Sequence, residues 1–173
     1  LFDATEEESK LKRLTQILDI LVKDPPGTEL EFVRLIEIPK RYPRYYMELS
    51  EEVRFFLVQL SVCIGDLDVF EMLIEMDPEF LLRVSTRPIY FTLSSSNLFH
   101  LAVYYNQDHF VPFFMETIPE LATAKVNGST SAFDFALSLD RVRIVESMDP
   151  YQFTYAHRII EFIFSMNAFQ YSF

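Results

Sequence analysis

Glycine is scarce in this 173-residue chain, with Gly27, Gly65 and Gly128 as the whole supply. Phosphate-cradling loops need several neighbouring positions without a Cβ, so neither GxGxxG nor GxxxxGKS/T can be written and the common nucleotide loops are excluded. Cysteine is scarcer. Cys63 stands alone, which leaves no internal disulfide and no secreted disulfide framework. Positive charge is also short: 15 Lys and Arg face 26 Asp and Glu, for a net charge of −11. Nucleic acid is disfavoured, because a phosphate backbone is bound by clustered cations that displace counterions. Here the cations come in small sets (Lys40, Arg41 and Arg44; Arg83 and Arg87; Arg141 and Arg143) that read as solvated faces. The same acidity disfavours an anionic membrane surface. No apolar run reaches the ~20 residues of a bilayer span, and no signal or transit segment opens the chain.

Apolar residues are plentiful: half of the chain is hydrophobic and 24% is charged, the balance of an ordered, core-forming domain. A chain of this length buries roughly 70% of its unfolded surface and needs no staples. The Leu at position 1 and the apolar closing stretch from Phe162 to Phe173 suggest a domain cut from a longer intracellular protein, cytoplasmic or nuclear.

The periodicity is helical. Thr5-Glu6-Glu7-Glu8 has the form of a capping box, and Leu11, Leu14, Ile17, Leu18, Leu21 and Val22 make one face of an amphipathic helix that Asp24-Pro25 stops. A shorter helix is expected over 28–38, ended by Pro39, with 40–49 as a connector. Ser50 caps an apolar helix that ends near Gly65, with Glu51 and Glu52 placed where the helix dipole favours acids. The next helix runs 66–76 with Val69, Phe70, Leu73 and Ile74 inward, and Asp77-Pro78 breaks it. A connector over 86–96 leads to helix pairs at 97–105 and 108–116, then at 132–139 and 142–148, with a turn signal at Asn127-Gly128. An apolar helix over 151–166 closes the chain.

Three of these pairs share a skeleton. Leu57 to Val62, Leu98 to Val103 and Ala132 to Leu137 each read apolar, polar, apolar, small, apolar, with Ser61, Ala102 and Ala136 as the small residue. These small residues are 41 and 34 residues apart, near the ~33-residue ankyrin period. Leu98-Phe99-His100-Leu101-Ala102 resembles the ankyrin T-P-L-H-x-A motif with Leu for Pro. Thr130 to Ala136 resembles the variant with Asp for His, with Ser131 as an extra residue. No copy keeps Thr-Pro, and the glycine between the helices survives only as Gly65, with Asn106 and Asp140 in its place.

The resemblance implies an all-α fold, a helical solenoid of ankyrin-like helix-turn-helix repeats with N- and C-terminal capping helices. The expected organisation is a cap or degenerate repeat over 1–49, repeats over 50–149 (50–85, 92–126 and 127–149) and a capping helix over 150–173. It also implies that His100 hydrogen-bonds the backbone of a neighbouring loop. The inter-helix pairs Cys63-Ile64, Tyr104-Tyr105 and Ser138-Leu139, with the finger tips Leu93 to Ser96 and Asn127 to Thr130, would form a partner-binding concave strip. The implied function is a protein–protein interaction module, a scaffold or adaptor that binds a peptide or helix. The alternatives are self-association as a homodimer through the C-terminal helix (Ile159, Ile160, Phe162, Ile163) and a regulatory domain of a larger multidomain enzyme.

Catalytic chemistry is not indicated. His157 and Glu161 share a helical spacing but lack a third metal ligand, His109 reads as solvated, and Cys63 lies between Val62 and Ile64, an apolar setting that keeps a thiol inert. No cofactor or metal site follows from the residues, and the aromatic richness reads as core.

Overall fold

The computed structural model of the chain describes residues 4–23, 34–85, 96–125 and 130–151 (4 and 17–23 as backbone). It forms two compact units, Leu1–Ser94 and Ser95–Phe173. Every regular element among the described residues is helical: α1 (Ala4–Lys23), α2 (Glu37–Arg41), α3 (Pro43–Glu48), α4 (Glu51–Ile64) and α5 (Leu67–Met76) in the first unit, and α6 (Leu98–Tyr104), α7 (Val111–Thr117), α8 (Ala132–Ser138) and α9 (Val142–Ser147) in the second. No described helix is long and apolar enough to cross a membrane.

The first unit is built around α4 and α5. Ser50 accepts the Val53 N–H through its hydroxyl at 3.3 Å, which satisfies one of the donors a helix start leaves over. Phe55 to Val62 is buried along the helix, and α5 lays Val69, Phe70, Leu73 and Ile74 against it, the face read from the sequence. Asp66 caps α5 by accepting the Val69 N–H at 3.2 Å and holds the Lys40 ammonium at 3.0 Å, tying α2 to the hairpin. That contact, chiefly the hydrogen bond, raises the Lys40 pKa. A 3-10 turn at Pro78–Leu82 then drives Phe80 into the core.

Three expectations for this unit need correction. Thr5 lies inside α1, which starts at Ala4, so it does not cap. Pro39 does not end a helix but sits within the first turn of α2, where its missing N–H is one of the donors left unpaired anyway. Residues 40–49 are not a bare connector: Pro43 opens α3 at its first position, where a fixed φ suits a helix start. α3 exists because Tyr46 is fully buried and its hydroxyl reaches the Arg54 carbonyl at 3.4 Å; burial pushes the Tyr46 phenol pKa up. Of the helix expected over 28–38, residues 28–33 lie outside the described residues.

The second unit is two shorter hairpins. Asn97 caps α6 in a reciprocal box, its side chain accepting the His100 N–H at 3.1 Å while His100 Nδ1 accepts the Asn97 N–H at 3.1 Å. Ser131 caps α8 by accepting the Asp134 N–H at 3.1 Å. Phe99 and Phe114 stack with centroids 4.7 Å apart, and Phe99, Phe110, Phe114 and Phe133 are among the largest fully buried side chains. A single 3-10 turn, Asp108–Phe110, leads into α7, where Pro112 occupies the first turn. The connector over 86–95 and the helix expected over 152–166 lie outside the described residues.

Candidate functional site

All three hairpins turn the same way. A residue with positive φ follows the first helix at Gly65 (80°), Asn106 (56°) and Asp140 (56°). At each, the N–H of that residue donates three residues back, to Val62, Val103 and Leu137. The next N–H donates five residues back, to Ser61, Ala102 and Ala136, over 2.9–3.2 Å in all. This is a Schellman closure, which consumes carbonyls a helix end leaves unpaired. Left-handed backbone favours glycine, and Asn and Asp tolerate it best among the rest, so the substitutions at 106 and 140 keep the turn. The three small residues therefore occupy one geometric position, the acceptor of the long turn bond, and all are at most 1% exposed.

The second unit places its tyrosines at the end of α6. Tyr104 is 43% exposed. Its ring lies parallel to Phe135 of α8 (4° between planes, centroids 6.5 Å apart) and meets Tyr105 edge-on at 5.1 Å. Ser138 and Leu139 follow Phe135 by one helical turn and so share its side of α8. Ser138 is exposed, with its hydroxyl donated to the Phe135 carbonyl at 2.8 Å, and Leu139 is half-buried. Tyr104, Phe135 and Tyr105 thus form an aromatic ledge.

The ledge is fixed from beneath by Arg141. Its Nε donates to the Val103 carbonyl at 3.1 Å and its Nη2 to the Tyr104 carbonyl at 2.7 Å, capping the end of α6 from the next hairpin. Arg141 is thus not the solvated basic residue expected from its pairing with Arg143 in the sequence. No residue pattern marks it, because its acceptors are main-chain carbonyls of the preceding hairpin. A second tie is His100, whose Nε2 donates to the Thr130 carbonyl at 2.7 Å while Nδ1 accepts from Asn97. That pairing needs a neutral ring, and burial depresses the His100 pKa against the opposing pull of the Thr130 bond. The loop contact expected for His100 is present.

Of the remaining candidate residues, Cys63 and Ile64 are half-buried at the end of α4 in the first unit. Thr130 is exposed, and its carbonyl serves His100. Leu93 to Ser95, Asn127 to Ser129, His157, Glu161 and the apolar residues 159–163 lie outside the described residues, and Ser96, expected at a finger tip, is buried. His109 is exposed, as expected, against Phe110 at 4.8 Å. Among the described residues no three His, Cys, Asp or Glu side chains gather as a metal site.

In comparisons with protein-family models, curated proteins and solved structures, nothing matches the chain.

Proposed function

We propose that the chain is an ankyrin-like protein-binding module, a scaffold or adaptor domain of a larger intracellular protein and not itself an enzyme, and that the ledge at the end of α6 is where a partner peptide or helix docks. The observation that carries the reading is Tyr104, an exposed aromatic ring braced by Phe135 and Tyr105 on a backbone that Arg141 holds. A rigid, half-exposed tyrosine offers a large contact area at little entropic cost, which is why Tyr is enriched among residues that dominate binding energy. The ankyrin-like part of the reading is supported by the repeated turn, the equivalent small residues and the His100 bond to Thr130.

The test is affinity capture from cell extract with the wild-type domain beside the Tyr104→Ala/Tyr105→Ala variant, followed by titration of the captured partner. Partner affinity is expected to fall more than about tenfold, the scale of losing one dominant anchor, with the circular dichroism and melting curve retained. A variant that folds and binds the same partner with unchanged affinity would falsify the assignment.

A further inference from the structure

Cations and acids are unevenly spread on this acidic chain, and the first unit carries a cleft that runs against the overall charge. The cleft measures about 510 Å³ and lies between α1 and the segment from Arg34 to Tyr42. Lys10 and Arg13 face it from α1, and Arg34 and Arg41 from the other side, with Glu37 as the acid in its lining. Four cations to one acid is the reverse of a chain with 15 basic and 26 acidic residues.

Among the described residues, local pairing leaves two of the four cations without a carboxylate. Glu37 is taken by Arg41, with Nε to carboxylate at 2.7 Å. Lys10 lies between Glu6 at 3.7 Å and Glu7 at 3.6 Å. Glu7 in turn accepts the Tyr42 hydroxyl at 2.6 Å, which holds its carboxyl below the usual range. No carboxylate among the described residues bridges Arg13 or Arg34. Two exposed guanidiniums that line one cleft from separate segments draw an anion from solvent, since a concave wall of one sign focuses the field.

We infer that this cleft binds the phosphate group of a soluble small molecule, with Arg13 and Arg34 as the paired clamp. Guanidiniums present a planar fork that matches phosphate oxygens two at a time, which a lysine cannot do. The volume falls in the range of small-molecule sites. Leu14, which is buried, and Tyr42 are in the lining and supply apolar wall for the body that carries the phosphate. Nucleic acid and anionic lipid surfaces are disfavoured by the net charge of −11. The cleft belongs to the first unit and the tyrosine ledge to the second, and neither reading depends on the other.

Pyrophosphate is the probe, with citrate as a tricarboxylate comparison, both titrated calorimetrically at fixed ionic strength. Wild type is expected to bind pyrophosphate. The affinity should fall at least about tenfold in Arg13→Gln/Arg34→Gln, the scale of losing charge-assisted bonds, and change little in Lys12→Gln, which makes the same kind of charge change elsewhere on α1. Chemical-shift mapping on wild type needs no variant, and should place the shifts within residues 10–14 and 34–42. The assignment is overturned if pyrophosphate neither releases heat nor moves those signals at millimolar concentration, if Lys12→Gln weakens binding as much as the double variant, or if citrate binds as tightly as pyrophosphate.

Discussion

In the first unit α4 runs for 14 residues, and its hairpin is tied internally by the Arg54 guanidinium against Asp77 at the far end of α5. In the second unit α6 and α8 run for seven residues each, and the ties go from one hairpin to the next: Arg141 to Val103 and Tyr104, and His100 to Thr130. The turns are the same in both units, so the closure does not depend on helix length. What differs is the device that replaces buried helix surface. A long helix buries enough side chains to hold its own hairpin. A seven-residue helix is too short to be stable alone and borrows its neighbour's polar groups.

The largest expected effect falls on the first unit. Arg54→Ala leaves the Asp77 carboxylate, 5% exposed, without its counter-charge and also strips the cation lying over the Phe80 ring at 6.0 Å. Removing one partner of a buried pair costs about 3–5 kcal/mol, read as a lower urea midpoint. The pair Arg54→Met/Asp77→Leu should recover most of that loss; if it is as unstable as the single variant, the tie is not electrostatic.

His100→Ala breaks the corresponding tie of the second unit. It leaves the Thr130 carbonyl and the Asn97 N–H without their partner, for about 1–3 kcal/mol. The loss carries a pH signature. The His100 pKa is depressed in the folded chain, so the unfolded chain takes up the proton more readily as pH falls below about 6.5. The contribution is complete above that value and disappears as pH drops through the lower folded pKa. Wild type should lose stability over that acid window, and His100→Ala should lose less of it. Parallel curves for the two proteins would remove His100 as the tie.

Smaller effects separate the turns. Gly65→Ala forces a Cβ into left-handed backbone and should cost about 1–2 kcal/mol. Asp140→Gly relieves the same strain and should gain about 0.5 kcal/mol, provided the Asp140 side chain serves only the turn. A loss on Asp140→Gly would mean that this turn, unlike the one at Gly65, is held by its side chain.

The hairpins were legible because their signals are local. Ser50 and Asp66 at helix starts, Gly65 at a helix end and the inward positions of α5 each act within a few residues. Pro39 was misread and the helix at Pro43 was missed, because proline stops a helix in its interior and opens one in its first turn, and at Pro43 the burial of Tyr46 favours the helix. The ledge was half legible. Tyr104 and Tyr105 were marked by the repeat, but Phe135 lies 31 residues beyond Tyr104, and Arg141 acts on backbone carbonyls, which carry no sequence signal. The cleft at Arg13 and Arg34 was invisible, because the cations that line it come from two separate helical segments.

The double hook of Arg141 sets the order in which the second unit comes apart. The α8–α9 hairpin cannot peel away without releasing the last two carbonyls of α6, and the ring of Tyr104 loses its parallel neighbour in the same event. Amide protons at the end of α6 and in α8 should therefore exchange with solvent at one shared rate, as a single cooperative block, and the docking platform is lost whenever that block opens.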